Sequence, residues 1–149
     1  MKGPTVYEIR RDGWFPFFEV RLSHTPLLMR SDIISYFSKF HLAPPSGLDE
    51  TAALVHSVVD TSGLFCILFL NRERLTPEIL CHEALHIAMS HERHVLGFLM
   101  SYGPSCGENE ERLAYFQGRV FAGLISTLGL SLVGACSSEK SGLRPRRGR

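Results

Sequence analysis

The sequence predicts an α+β fold in which a small antiparallel or mixed sheet is packed on two helices. The chain opens with a predicted β-hairpin, because Tyr7 to Arg11 and Phe15 to Leu22 flank an Asp12-Gly13 turn. Residues 63–70 then form an apolar run that is typical of a buried strand. A helix start follows at Thr76-Pro77, where a residue suited to the N-cap precedes a proline suited to the first helical position.

Two further elements are predicted between the hairpin and the apolar strand. Ser31 to Phe40 predicts a short helix, because its isoleucines and phenylalanines fall on one helical side. Thr51 to Asp60 allows either a strand or a helix. We favour a strand because Val55, Val58 and Val59 precede a polar turn and a second strand.

Length and composition predict one domain. A chain of 149 residues that is 44% hydrophobic can bury one core and hardly two. We expect this domain to span residues 1–136, and we expect residues 137–149, with five basic residues against one acid, to be a disordered tail. The formal net charge of +1 creates no global field that would attract nucleic acid, so no nucleic-acid partner is expected.

The segment from Val120 to Cys136 carries no charged residue over 17 positions, so a membrane span has to be weighed. The segment is short for a span, and its serines and glycines suit close packing between helices. It also continues a predicted helix that begins before it. We therefore expect it to pack inside the domain and expect no membrane partner.

Cysteine usage and the N-terminal residues both predict a cytoplasmic protein. The first eight residues lack the apolar region of a signal peptide. The four cysteines include no C-x-x-C pair and are interpreted as reduced thiols. They are Cys66, Cys81, Cys106 and Cys136.

The residues His82-Glu83-Ala84-Leu85-His86 form an H-E-x-x-H motif on the predicted helix. Four residues along a helix correspond to about 40° of rotation, so both imidazoles can reach one metal ion. This spacing, with a glutamate beside it, is the arrangement of zinc hydrolases. We predict that His82 and His86 bind Zn²⁺ and that Glu83 is the general base.

The rest of this helix predicts how it is oriented. An apolar stripe lies opposite the two histidines and should face the core; it comprises Leu80, Ala84, Ile87 and Ala88. His91 and His94 fall about 180° and about 120° from His82, so neither can join the site. Together with Arg93 they are predicted to be a solvated helix end. Met89 and Glu92 stand where the metzincin pattern requires glycine and a third histidine, which excludes that class.

A catalytic zinc site needs a third protein ligand. The segment Glu111-Arg112-Leu113-Ala114-Tyr115, on a predicted later helix, resembles the gluzincin group of zinc metallopeptidases, in which a glutamate ligand follows H-E-x-x-H by one helix. The resemblance implies that Glu111 is the third ligand. By helical spacing Glu111 shares a face with Ala114, Tyr115 and Gly118, and the small residues on this face are expected to allow close approach. Glu110 is the alternative because it follows Asn109, and Glu108 is a more distant one. Tyr115 is expected to be a core aromatic residue rather than a transition-state donor.

Residues 63–125 also resemble small H-E-x-x-H proteins carried by phages and prophages. The resemblance implies a minimal zincin-like domain that hydrolyses peptide bonds, acting in the host cytoplasm if the protein is phage-encoded. The substrate is then an extended peptide or protein, and the strand that ends near Asn71 is expected to flank the cleft. The alternative is a non-catalytic zincin-fold binding module with a structural zinc, such as a phage accessory protein. A third possibility is a membrane-attached accessory protein without metal.

Overall fold

The computed structural model describes residues 3–10, 17–58, 63–94 and 107–130. These residues form four strands, three α-helices and one short 3₁₀ turn. In chain order they are β1 (Thr5–Ile9), β2 (Phe17–Ser23), α1 (Pro26–Lys39), β3 (Ala53–Ser57), β4 (Leu64–Asn71), the 3₁₀ turn (Arg72–Arg74), α2 (Pro77–His94) and α3 (Gly107–Leu128).

The four strands form one mixed sheet in the order β1-β2-β4-β3. β1 and β2 pair antiparallel, as the hairpin prediction required, and β3 pairs antiparallel with β4. β2 and β4 are parallel, and the chain between them passes through α1 and β3. The predicted α+β class with a small mixed sheet is confirmed, as is the choice of strand over helix at β3.

β4 is buried on both faces of the sheet, which explains its uninterrupted apolar sequence. Its even-numbered residues Cys66, Leu68 and Leu70 pack in a cluster with residues of α2 and α3. Its odd-numbered residues Ile67 and Phe69 pack in a second cluster with α1. The sheet therefore separates two apolar layers, and α2 and α3 share the same side of it.

Helix α1 begins five residues earlier than the sequence predicted. The Thr25 hydroxyl oxygen accepts a hydrogen bond from the backbone N–H of Leu28 at 3.3 Å, and Pro26 occupies the first turn. This threonine-proline pair is the N-terminal signal that the choice of Ser31 overlooked. The helix is fastened to β2 by Asp32, whose two carboxylate oxygens accept hydrogen bonds from Arg21 at 2.8 and 2.7 Å.

Helix α3 continues from its polar first turns into the apolar C-terminal segment. Val120 and Leu124 are buried in the core layer shared with α2, as expected for this part of the segment. Within the described residues, no helix is both long and apolar enough to cross a membrane. The rest of the segment, up to Cys136, and the predicted basic tail lie outside the described residues.

The core role of α3 can be tested by truncating Leu124. Leu124→Ala should lower the free energy of unfolding by about 3 kcal/mol, because the buried isobutyl group is replaced by a cavity. Urea unfolding followed by circular dichroism measures the change. Ala122→Ser, on the exposed side of the same helix, is the matched control and should change stability by less than about 0.5 kcal/mol. Equal effects of the two substitutions would contradict the packing described for α3.

Candidate metal centre and cleft

Helix α2 is placed by its capped start and by one apolar face. The Thr76 hydroxyl oxygen accepts a hydrogen bond from the backbone N–H of Ile79 at 3.3 Å, and Pro77 is the first helical residue. The predicted apolar stripe faces the sheet, and all four of its members are fully buried: Leu80, Ala84, Ile87 and Ala88. The rotation of α2 about its axis is therefore the one that the sequence predicted.

This rotation exposes His82 and His86 together. Their Nε2 atoms are 3.0 Å apart, within hydrogen-bonding distance of each other. Two nitrogens bound to a tetrahedral zinc ion, each at 2.0–2.1 Å from it, lie roughly 3.3 Å apart. The separation of the two nitrogens is therefore close to that of two ligands on one zinc ion.

Glu83 lies beside the pair but is only 8% exposed. Burial raises the pKa of its carboxyl group, and the nearby His86 and His82 partly oppose this shift. A carboxylate with a raised pKa accepts a proton more readily than a solvated one. Glu83 is thus suited to take a proton from a water molecule held near the histidines.

A cleft of about 490 Å³ lies between α2 and β3 and contains these three side chains. From α2 it is lined by His82, Glu83, His86, Met89, Ser90 and Arg93, and from β3 by Ala53, Leu54, Val55 and Ser57. The expectation that the strand ending at Asn71 flanks the cleft was wrong. That strand, β4, lies inside the sheet between β2 and β3, so β3 forms the wall.

β3 is an edge strand, and alternate backbone groups on it point away from the sheet. The backbone N–H of Val58 donates to Phe65, and the carbonyl of Ala52 accepts from Asn71. In an antiparallel ladder, the residues between such pairs direct their N–H and C=O groups outwards. These residues are Ala53, Val55 and Ser57, all of which line the cleft. Within the described residues, no strand pairs with this outer edge.

Polar and aromatic contacts between described side chains help to hold α3 against α2. Arg112 Nη2 donates to the buried carboxylate of Glu92 at 2.6 Å. Gln117 Nε2 donates to the backbone carbonyl of Cys81, next to His82, at 3.1 Å. The rings of His91 and Phe116 stack with their centroids 4.4 Å apart. The second helix therefore runs beside the motif helix, as the proposed ligand arrangement requires.

Glu111 is exposed, and its helix face does not approach α2 closely. Ala114, Tyr115 and Gly118 on this face are exposed as well, and a Cβ added at Gly118 would meet nothing within 4 Å. The expectation of close packing through these small residues was wrong.

Among the side chains that the structure describes, no group of three His, Cys, Asp or Glu residues could hold a metal ion. Glu111 therefore does not complete a ligand set with His82 and His86 in this arrangement, and its assignment stays a prediction. The side chains of Glu108 and Glu110 lie outside the described ones. In helical register, position 110 falls on the face that carries Leu113 and Gln117, which are three and seven residues later.

Two aromatic side chains differ from the predictions made for them. Tyr115 is 65% exposed, and its hydroxyl accepts a hydrogen bond from Arg119 at 2.7 Å, so it is not a core residue. His91 is 3% exposed, and burial lowers its pKa, whereas the prediction placed it at a solvated helix end. Arg93 is exposed, as predicted. The apolar residues on α3 were the sequence signal that this helix would cover His91.

The two cysteines in the described parts of the chain have free thiols. Cys66 is buried, and its burial raises the pKa of the thiol. Cys81 is exposed on α2 beside His82. Cys106 and Cys136 lie outside the described residues.

Comparison of the chain with known proteins identifies no similar protein. No protein-family model, no curated protein and no solved structure matches the chain significantly. The functional proposal therefore depends on the residues of the cleft.

The burial of His91 predicts a dependence of stability on pH. Its pKa is lowered mainly by burial, so the unfolded chain binds a proton more readily than the folded one as the pH falls below about 6.5. His91→Phe keeps an aromatic ring against Phe116 and removes the titrating group. The loss of stability between about pH 8 and about pH 5, measured by urea unfolding, should therefore be smaller in this variant than in the native chain.

His24→Gln is the control for this experiment, because it removes a histidine whose side chain is exposed rather than buried. An unchanged pH dependence in His91→Phe would contradict the role assigned to burial.

Proposed function

We propose that the chain is a zinc-dependent peptidase whose active site is the cleft between α2 and β3. The observation that carries this proposal is the convergence of His82 and His86, with their Nε2 atoms 3.0 Å apart, beside the buried carboxyl group of Glu83. Two neutral imidazoles leave room for a third ligand and for water, which is the ligand arrangement of a catalytic zinc.

Zinc bound at the histidine pair would supply a Lewis acid that activates water and polarises the carbonyl group of a substrate. Glu83 accepts a proton from the attacking water and returns it to the nitrogen of the departing amine. Its burial supports this role because the raised pKa brings the carboxyl group nearer to the pH at which it must both accept and release a proton.

The third zinc ligand is proposed to come from the first turns of α3. Glu111 is the residue implied by the gluzincin resemblance, although its side chain is exposed. Glu110 is supported by helical register, because its position shares a face with Gln117, which contacts the backbone next to His82. Either assignment uses the packing of α3 on α2 to bring a carboxylate towards the histidines.

The proposed substrate is a peptide in an extended conformation. The outward N–H and C=O groups of β3 can pair with such a peptide as with an additional strand. This pairing would draw the substrate along the cleft, past Glu83 and the histidine pair. We further propose a cytoplasmic site of action, which the free thiols of Cys66 and Cys81 support.

A non-catalytic binding module with a structural zinc is the second candidate. It is favoured by the absence of a third ligand among the described side chains. A structural site does not need a general base, however, and the buried Glu83 beside the histidines favours the enzyme.

The first test is metal content. The purified chain, reconstituted with zinc at neutral pH, should hold about one zinc ion per molecule, and His82→Ala and His86→Ala should each remove most of it. Elemental analysis after gel filtration measures the ratio, with His24→Ala as the matched control. A content below about 0.2 zinc per native chain would refute the metal site.

The second test assigns the third ligand. If Glu111 is a ligand, Glu111→Ala should weaken zinc affinity roughly 100-fold or more in a competition titration with a chelator, while Glu110→Ala should leave it nearly unchanged. The reverse result would assign the ligand to Glu110. If neither variant changes the affinity, the gluzincin-like ligand set is wrong.

The third test separates the enzyme from the binding module. Glu83→Gln should retain zinc and fold while losing nearly all cleavage of an unfolded protein mixture, because an amide cannot accept the proton of the attacking water. Mass spectrometry of the digest measures cleavage. A native chain that holds zinc and cuts nothing would favour the non-catalytic module, and loss of zinc in the variant would show that Glu83 is itself a ligand.

A further inference from the structure

Arg93 lies on the same face of α2 as His82 and His86. It is seven residues beyond His86 and eleven beyond His82. At 3.6 residues per turn, eleven residues return the helix to within about 20° of the starting direction. Seven residues advance it by about 10 Å. The guanidinium group therefore belongs to the face that carries the proposed catalytic residues, and Arg93 lines the same cleft.

The positive charge of Arg93 is not neutralised by the described part of the cleft. None of the ion pairs between described side chains involves Arg93. Its neighbour Glu92 is buried and is bound by Arg112 at 2.6 Å. The one acidic residue among the cleft's described lining is Glu83, which lies ten positions earlier. An exposed arginine that has no acidic partner among the described residues attracts an anion that enters the cleft.

The direction of β3 shows how a substrate would reach Arg93. The hydroxyl groups of Ser57 and Ser90 are 2.9 Å apart, and Ser90 also donates to the carbonyl of Phe65 at 3.5 Å. The C-terminal end of β3 therefore lies beside the C-terminal half of α2. Because α2 begins six residues after β4 ends and returns to the start of β4 at Ser90, it runs antiparallel to β4, as β3 does, so β3 and α2 run parallel. A peptide that follows the edge of β3 is carried from the histidine pair towards Arg93.

The distance between His86 and Arg93 along α2 indicates which residue of a bound peptide would contact Arg93. An extended chain advances about 3.3 Å per residue, so the 10 Å between His86 and Arg93 corresponds to about three residues. We propose that Arg93 is a specificity-determining residue, which binds a carboxylate about three residues away from the scissile bond of a peptide substrate. This inference rests on the proposed peptidase function and names the class of peptide that the cleft prefers.

The carboxylate can come from two sources. A peptide antiparallel to β3 places its N-terminal flank beside Arg93, where an aspartate or glutamate side chain would be bound. A parallel peptide places its C-terminal flank there, where either an acidic side chain or the terminal carboxylate would be bound. The planar guanidinium group can form two parallel hydrogen bonds with any of these carboxylates.

The inference can be tested by binding, without hydrolysis. The full-length, zinc-loaded Glu83→Gln protein is titrated into fluorescein-labelled octapeptides that differ only in the position of one glutamate, each paired with its glutamine analogue. A second set compares free with amidated C-termini. Fluorescence anisotropy gives the dissociation constants. Arg93→Gln is introduced into the same protein, and Lys39→Gln is the matched control because it removes one positive charge from α1, across the sheet.

We expect one placement of the carboxylate to tighten binding about three- to fivefold, which is typical of an exposed charge pair. This preference should disappear in Arg93→Gln, persist in Lys39→Gln, and shrink when the salt concentration is raised from about 0.02 to about 0.5 M. Val55→Pro removes an outward N–H group of the edge strand and should weaken the binding of acidic and neutral analogues alike.

Three results would overturn the inference: no binding of any octapeptide, equal binding of the acidic and neutral analogues, or a preference that survives Arg93→Gln. Its failure is distinct from failure of the proposed function. Cleavage by the native chain without a preference for acidic peptides would refute only the role of Arg93. Binding that depends on Arg93, in a chain that cleaves nothing, would refute only the peptidase.

Discussion

The packing of the apolar face of α2 against the sheet determines the rest of the candidate site. Four fully buried residues hold this face in contact with the core shared by β4 and α3: Leu80, Ala84, Ile87 and Ala88. Because a helix is rigid, fixing one face fixes all the others. His82 and His86 must then project outwards, and Glu83 must face the side on which β3 lies. A core that is ordinary in composition thus sets the positions of three chemically active side chains.

The parts of the fold and site that the sequence predicted are those that depend on local hydrophobic periodicity and on the residues that begin or end helices and strands. The antiparallel pairing of the hairpin arms, the buried strand, the capped start of α2 and its apolar stripe follow from short stretches of chain, and the structure agrees with them; the predicted Asp12-Gly13 turn lies outside the described residues. The order of strands depends instead on pairing between distant segments. For this reason the sequence could show that β4 is apolar on both faces but could not show that β3 would separate it from the outer edge of the sheet. The wall of the cleft was therefore assigned to the wrong strand.

The rotation of α3 explains the remaining differences. Its sequence allows several faces to be directed at α2, and the choice is made by long-range partners, including the buried Glu92 that binds Arg112 and the ring of His91 that stacks on Phe116. This choice covers His91 and leaves Tyr115 exposed. The same rotation turns the face with Glu111 outwards. The sequence motif therefore favours Glu111 as the proposed third ligand, whereas the helix packing favours its neighbour Glu110.

The contact between Arg112 and Glu92 shows which residues join α2 to α3. The carboxylate of Glu92 is buried and the pair is hydrogen-bonded at 2.6 Å, so the two helices are joined by a charge interaction that involves neither histidine of the motif. A small zinc-dependent domain of the finger type folds around its ion, and much of its binding energy is spent on ordering the chain. Here the contacts that join the two helices, this ion pair and the stacking of His91 on Phe116, involve no residue that is proposed to bind the metal. A substitution at His82 or His86 would therefore remove a proposed ligand while leaving the side-chain contacts that dock α3 on α2 in place.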